Sequence, residues 1–425
     1  MSRRNELDAI IVGAGAIGSA IALALARDGF EVALVEARDP KPWRAEGDVD
    51  LRVVALARDA RNLLDDLDVW TSISSARIGP YRHMRVWDAL APGELAFDAA
   101  DNGEAALGWI VENKLIQHAL WQALHSTPSP PSGERVGVRG RDHTGVQHRA
   151  SPLHPDSSAV HLYCPAEVAD VENTADAVTA ILSDGTRLRA KLLIAAEGAE
   201  SSVRTKLGIA FNGRDYGQRA IVAHVATARP HENTAWQRFQ AGGPLAFLPL
   251  ADGRCSIVWS LPDVEAARIL ALDDAAFCNE LGCAFDFRLG AITAPTSRAA
   301  FPLRLRLAEK YVVGRCLLAG DAAHLVHPLA GQGMNLGFRD VHALRTILHA
   351  ARERGSDIGA AHVLRRYERE RRSENTLAAR SLDAIERVFG SDVIPLASLR
   401  GAGLGVIDRL APLKQFLAGV AAGNR

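Results

Sequence analysis

Residues 313–340 read Val-Gly-Arg-Cys-Leu-Leu-Ala-Gly-Asp-Ala-Ala-His-Leu-Val-His-Pro-Leu-Ala-Gly-Gln-Gly-Met-Asn-Leu-Gly-Phe-Arg-Asp. The apolar run Cys316 to Ala319 has the length of a buried strand, and it ends in Gly320-Asp321 before a glycine-rich stretch opens a helix near Asn335. This order sets one carboxylate at a strand end and several unshielded backbone N–H groups at a helix N-terminus. A carboxylate accepts from a ribose or ribityl hydroxyl, and N–H groups backed by a helix dipole favour electron-rich or anionic atoms. The pair suits a nucleotide that carries a flavin ring.

The amino terminus supplies a second nucleotide signal. Ile10-Ile11-Val12-Gly13-Ala14-Gly15-Ala16-Ile17-Gly18 is a buried strand entering a G-x-G-x-x-G turn, followed by an alanine-rich helix and a second strand, Val32 to Val35, that ends in Glu36. Gly13, Gly15 and Gly18, with Ala16 and Ile17 between them, allow the tight turn, the approach of backbone to a pyrophosphate and the packing of helix on strand. Glu36 is placed to bind ribose hydroxyls, which favours FAD or NAD over NADP. Residues 9–26 carry no charge, but glycines fall on the turn positions and Glu36 follows in register, so the stretch reads as a nucleotide fold rather than an export signal or a membrane span.

At 425 residues the chain exceeds one core and suggests two or three units. Its 49 basic and 50 acidic residues leave a formal charge of -1, which excludes the electrostatic footprint of a nucleic-acid binder. Five scattered cysteines fit free thiols in a reducing, cytoplasmic setting. His324 and His327 resemble a metal pair, but no carboxylate stands at a matching offset, and no metal is expected. Residues 126–158 are rich in Pro, Ser, Gly and Arg without apolar periodicity, which reads as a disordered insertion.

Further along, Leu192-Leu193-Ile194-Ala195-Ala196-Glu197-Gly198 is an apolar strand and turn leading to Ser201, Ser202 and Arg204 at a helix start. Asp50-Leu51-Arg52 precedes the short strand Val53 to Leu56, and Trp109 to Asn113 precedes a helical pattern through Leu115, Gln117 and Leu120. Two strand-rich blocks, residues 76–108 and 216–301, alternate in the way of a sheet with one buried face.

These segments resemble, in order, the motifs of the class A flavoprotein monooxygenases, built like para-hydroxybenzoate hydroxylase. Gly320, Asp321, Ala322, His324, Pro328, Gly331, Gln332, Gly333, Asn335, Gly337 and Asp340 fall on the family's Gly-Asp motif. Gly198, Ser201 and Arg204 fall on its Asp-Gly motif, with Glu197 where the family usually has aspartate. The resemblance implies non-covalent FAD, with Arg52 reaching the phosphates, Asn113 lying near the flavin, and the backbone of Pro328, Gly331, Gln332, Gly333, Met334 and Asn335 steadying the ring. It also implies a sheet that roofs the flavin and lines an aromatic-substrate pocket, for which Phe239, Phe247 and Pro249, with Leu245 and Leu248, are the apolar candidates. No protein acid-base set is expected, because the cofactor carries the chemistry.

The carboxyl-terminal third, with Tyr367 to Arg372, Asn375, Arg387-Val388-Phe389 and Leu399 to Leu404, resembles the ubiquinone-biosynthesis hydroxylases. That likeness implies hydroxylation of a polyprenylated phenol with NADPH or NADH and O2 through a C4a-hydroperoxyflavin. It also implies peripheral contact with a membrane surface or a biosynthetic complex, for which the tail beyond Pro395 is the candidate. Another aromatic monooxygenase of secondary metabolism and a non-catalytic flavin-binding subunit remain open. The Trp-x-Trp-x-Ile-Pro stretch of the halogenases is absent, and a simple dehydrogenase leaves the 197–204 and 320–340 segments unexplained. The expected architecture is α/β: a Rossmann-like FAD-binding unit (1–75, 105–215, 302–385), an inserted β-sheet substrate unit (76–104, 216–301) and a helical tail (386–425).

Overall fold

The computed structural model describes residues 7–90, 93–126, 160–326 and 332–389. Most of the insertion, the stretch 327–331 with His327, Pro328 and Gly331, and the tail from 390 onward lie outside the described residues.

The amino-terminal strand Leu7–Val12 is the centre of a largely parallel sheet, with Val32–Val35 on one side and Arg187–Ala195 on the other. Cys316–Leu318 adds in parallel beyond Arg187–Ala195, and Val160–Tyr163 beyond Val32–Val35. Strands buried on both faces need to be apolar throughout, and Ile10, Ile11, Ala33, Leu34, Leu193, Ile194 and Leu317 are all at most 1% exposed. The helix Ala16–Arg27 crosses one face of this sheet; its alanines allow close approach, and Ala16 and Gly18 through Ala26 are buried. Gly13 adopts φ +100°, and a Cβ on Gly18 would lie 1.8 Å from the Gly13 carbonyl oxygen. Both positions therefore require glycine on steric grounds. The fold is a Rossmann-like α/β unit with a second sheet built onto it.

That second sheet has nine strands and is mostly antiparallel, running from His324–Leu325 through Ala299–Ala308, Phe211–Thr227, Cys255–Pro262, Leu245–Pro249, Thr234–Phe239 and His83–Asp88 to Glu94–Asp98. One of its faces is sealed by the helices Asp263–Leu270 and Asp274–Ala284, which bury Ile269, Phe277, Leu281 and Phe285 against Ile221, Phe247, Ile257 and Trp259. The other face meets a small antiparallel sheet of three strands, Val53–Leu56, Gly108–Glu112 and Gly79–Tyr81: Leu248 packs with Ala55, Ile110 and Leu250. Two helices close the structure, an anchor helix Gln332–Glu353 and a long helix Ala361–Phe389. No described helix is long and apolar enough to cross a membrane.

The alternation of the second sheet gives two faces without saying which one meets the first sheet, and here the apolar pocket candidates divide. Phe247 and Leu245 are fully buried on the helix-covered face, and the Phe247 ring stacks on Phe285 with centroids 3.8 Å apart. Phe239 packs instead with Val86 and Leu95 and with Leu382 of the long helix. Pro249 presents its carbonyl to the Gly79 backbone, where a Cβ would come within 2.1 Å. Phe247 is a core residue by this geometry. Phe247→Ala is expected to lower the unfolding free energy by about 3–5 kcal/mol in chemical denaturation, while flavin affinity in the folded protein stays at the parent value.

Candidate nucleotide and flavin site

Val12 pairs in register with Val35 and with Ala195, and Ala195 pairs with Leu318. The carboxyl ends of four parallel strands therefore lie level, and the residues that follow them share one edge: Gly13, Glu36, Glu197 and the Gly320-Asp321 pair. Open parallel sheets bind nucleotides at this edge, where the strand order reverses.

Each residue on the edge has a distinct local job. Glu36 accepts from the Ala14 N–H at 2.6 Å and the Arg38 N–H at 3.1 Å, which ties the second strand to the glycine turn. Gln117, on the helix Asn113–Ser126, donates to the Ala14 carbonyl at 2.9 Å, so the turn is held from two sides. Glu197 is directed into the start of the helix Ser202–Lys206, accepting from Ser201 Oγ at 2.5 Å, Ser202 Oγ at 2.8 Å and the Val203 N–H at 3.1 Å. The longer side chain thus serves as a helix-capping carboxylate. Arg204 is buried beneath the same turn, donating to the Ala199 carbonyl at 2.8 Å and stacking 3.9 Å from the Phe211 ring.

Asp321 differs from these. Solvent reaches it, yet it hydrogen-bonds to no described residue, and its protein-walled position raises the carboxyl above its ordinary range against the lowering influence of His324 and Arg52. The Arg52 guanidinium is exposed, lies 4.7 Å from the Phe301 ring and makes no ion pair with a described residue. Its backbone carbonyl accepts from the Asn113 N–H at 2.9 Å, so the arginine strand and the Asn113 helix approach the cleft together. Gln332, Gly333, Met334 and Asn335 form the first turn of the 22-residue anchor helix. The N–H groups of such a turn have no partner within the helix. The Asn335 side chain is spent on the scaffold, accepting from Ala57 N–H at 3.0 Å and donating to the Ala55 carbonyl at 2.9 Å.

Beneath this surface lies a buried ionic cluster centred on Asp340. Its Oδ2 accepts from the Gly320 N–H at 2.9 Å and lies 2.6 Å from His324 Nε2; its Oδ1 accepts from Arg371 Nε at 2.7 Å and Asn375 Nδ2 at 3.2 Å. Arg371, 1% exposed, also pairs with Glu374 and donates to Asn375 Oδ1 at 2.8 Å. Burial alone would raise the Asp340 carboxyl, but the His324 and Arg371 contacts overcome it and hold it down to about 2. Ile17 completes the junction, since a Cβ on Gly337 would lie 2.7 Å from Ile17 Cδ1 and one on Gly320 3.3 Å from Ile17 Cγ1. The fingerprint helix thus rests directly on the Gly-Asp segment.

Among the described residues, a carboxylate without a hydrogen bond, a guanidinium without an ion pair and the start of a long helix, gathered at a glycine-lined edge, fit the ribityl, phosphate and ring portions of FAD. The arrangement defines a flavoprotein oxidoreductase. Comparison with known proteins agrees. A family model described as an FAD binding domain matches residues 153–381, and one described as an FAD dependent oxidoreductase matches residues 8–48. The chain is 35% identical to 3-demethoxyubiquinol 3-hydroxylase of Escherichia coli K12 over 405 residues, covering 95% of both chains. It is 33% identical to the human ubiquinone biosynthesis monooxygenase COQ6, mitochondrial, over 96% of this chain and 91% of that one. Among solved structures, p-nitrophenol 4-monooxygenase from Pseudomonas putida DLL-E4 shares the fold with a TM-score of 0.73 at 19% identity over 99% of both chains. Klebsiella pneumoniae HpxO, solved with FAD and uric acid, does so with 0.69 at 20% identity over 97% of both chains. The chain belongs to the ubiquinone-biosynthesis hydroxylases, FAD-dependent monooxygenases of class A that draw electrons from NADPH or NADH.

Reading motifs alone did not assign Gln117, Arg371 or Asn375 to the site's support. The available signal was spacing: Arg371 and Asn375 continue the inward-facing series Val363, Leu364, Tyr367 at helical period, which marks a buried charge needing a partner. The Asp340 pairing has a measurable consequence. A carboxyl held below its unfolded value stabilises the protein above about pH 4 and loses that contribution as pH falls toward about 2. Asp340→Asn, which leaves Arg371 with only the partly exposed Glu374 as its carboxylate, is expected to cost roughly 3–5 kcal/mol at neutral pH. The deficit relative to the parent should narrow over that acid window when unfolding is followed as a function of pH.

Proposed function

We propose that this enzyme hydroxylates the ring of a polyprenylated phenol. The observation that carries the reading is the level edge of strand ends, tied to the anchor helix through the Gly320 N–H and Asp340, taken with relatives whose names specify hydroxylation of a ubiquinol and monooxygenation in ubiquinone biosynthesis. Bound FAD, reduced by NADPH or NADH, supplies the activation of O2. The protein supplies position and exclusion of water.

In this reading the Gly13-Ala14-Gly15-Ala16-Ile17-Gly18 turn admits the pyrophosphate, and Glu36 uses acceptor capacity left beside the Ala14 bond for a ribose hydroxyl. Arg52 answers the phosphate charge, Asp321 accepts from the ribityl chain, and the backbone of Gln332 to Asn335, with Gly331 beyond the described residues, donates to the flavin's electron-rich end. Asn113 lines the cleft beside Arg52. Glu197, Gly198 and Arg204 act one step removed, by holding the turn at the end of the Arg187–Ala195 strand. The two sheets divide the labour, the parallel one holding FAD and the second one facing the substrate with the side opposite its helices. A lipophilic phenol reaches such a site from a membrane surface or from a partner in a biosynthetic complex.

Two measurements test this. Asp321→Ala is expected to weaken FAD binding roughly ten- to a hundredfold, the loss of a charged acceptor worth about 1.5–3 kcal/mol; unchanged flavin affinity would contradict the site. With NADPH or NADH and a polyprenylated phenol, the holoenzyme should yield a product heavier by one oxygen atom, traceable by mass spectrometry. Oxidation of the donor with hydrogen peroxide as the sole product would contradict the function while leaving the cofactor site standing.

A further inference from the structure

Between the strand Val32–Val35 and the strand Val53–Leu56, residues 36–52 form neither helix nor strand. An irregular stretch of this length inside a packed unit needs its own support, because its backbone groups have no ladder to pair with. Here the support is one ion pair. Glu112 ends the strand Gly108–Glu112 and is 3% exposed, and Arg77 lies between the helix Trp70–Ser74 and the strand Gly79–Tyr81. Arg77 Nε donates to Glu112 Oε1 at 2.8 Å and Arg77 Nη2 to Oε2 at 3.2 Å, the bidentate geometry that fixes both groups in orientation.

The remaining capacity of both side chains goes to the irregular stretch. Glu112 Oε1 also accepts from the Trp43 indole at 3.1 Å, and Oε2 from the Asp50 N–H at 2.6 Å. The Arg77 guanidinium donates to the carbonyls of Ala45 at 3.0 Å, Gly47 at 2.7 Å and Asp48 at 3.3 Å, and stands 5.4 Å from the Trp43 ring. These contacts gather residues 43–50 around a single buried carboxylate. A buried ion pair contributes little net stability once desolvation is counted, so the use of this one lies in the geometry it imposes.

That geometry leads to Arg52. The Asp50 carbonyl lies 3.1 Å from Nε2 of His224, a buried residue on the strand Phe211–Thr227 of the second sheet, and since a carbonyl only accepts, this nitrogen carries the proton. Both backbone groups of Asp50 are therefore taken, one by Glu112 and one by His224. Val53 pairs with Glu112 across the small sheet, and the Arg52 carbonyl accepts from the N–H of Asn113, the residue after Glu112. Arg52 is thus bracketed in sequence by contacts to Glu112, while its guanidinium is exposed and makes no ion pair with a described residue. A long side chain loses freedom when it meets a ligand, and a base fixed beforehand reduces that loss.

We propose that Glu112 and Arg77 are positioning residues for the cofactor: by clamping residues 43–50 they present Arg52 to the FAD phosphates from a rigid base. The proposal rests on the reading of Arg52 as the phosphate contact. Its test is a double-mutant cycle on FAD affinity, measured by titrating folded apoprotein with FAD. Arg52→Gln alone should weaken binding roughly ten- to a hundredfold and flatten its dependence on salt, because a charge-to-phosphate contact is lost. Glu112→Gln alone should weaken binding roughly three- to tenfold, the cost of ordering a loosened arginine. Added to Arg52→Gln, Glu112→Gln should change affinity by less than about twofold, since the residue through which it acts is gone. Arg77→Lys, which keeps a charge beside Glu112 but not the fork that reaches the loop carbonyls, should repeat this pattern. A general loss of packing would lower affinity equally with or without Arg52, and that additivity would overturn the proposal. So would parent affinity in Glu112→Gln and Arg77→Lys, or failure of both to fold, which would make the pair an element of stability alone. Parent affinity in Arg52→Gln would strike the reading of that arginine, and the proposal with it, whereas the other outcomes leave that reading standing.

Discussion

The Asp340 carboxylate is the constraint on which the site depends. It is completely buried and ionised, and it joins three segments that the chain brings in separately: the Gly320 turn, His324 of the second sheet's edge strand, and Arg371 with Asn375 on the long helix. A buried ion pair is not by itself a large source of stability, because desolvation offsets the attraction. Its value here is geometric. A carboxylate with four donors around it has one arrangement that satisfies all of them, and that arrangement fixes the Gly320 N–H. Asp321, the next residue, is thereby presented into the cleft.

The scaffold around that cluster divides between steric and electrostatic causes. Close packing sets the approach of fingerprint helix to Gly-Asp segment, where Ile17 fills the space that Gly320 and Gly337 leave. Backbone register sets the level of the strand ends, so that no side chain has to reach far to meet a nucleotide lying along the edge. Electrostatics then biases what the edge can hold: among the described residues, a carboxylate without a hydrogen bond, a guanidinium without an ion pair and a helix N-terminus favour a ligand with hydroxyls, phosphates and an electron-rich ring. The second sheet contributes a wall, and its stability comes from the aromatic and aliphatic layer on the face away from the cleft.

Much of this was legible in the residues. The glycine positions of the fingerprint, Glu36 after an apolar strand and Asp321 after another carry their meaning locally, because turn sterics and strand ends depend on neighbours in sequence. What depended on long-range pairing was not legible. Period-two alternation in 245–249 marks a strand but not the face on which Phe247 falls, and the structure buries it against Phe285, a residue far along the chain. Glu197 and Asn335 sit in the motifs, yet their side chains serve the scaffold, which only the positions of Ser201, Ala55 and Ala57 reveal. Arg371 stands between other arginines in the sequence, and only its inward position sets it apart from Arg369 and Arg372.

The claim that Asp340 governs the cofactor site is tested most directly by titrating the Asp340→Asn apoprotein with FAD at neutral pH, counting only protein that remains folded. An amide in place of the carboxylate presents an NH2 group to one side of the cluster, so either Gly320 or Arg371 loses its acceptor. The account predicts FAD affinity lower by roughly tenfold or more, the worth of one hydrogen bond to a charged group. Parent affinity in the folded variant would show that Asp340 stabilises the protein without setting the site, and would contradict it.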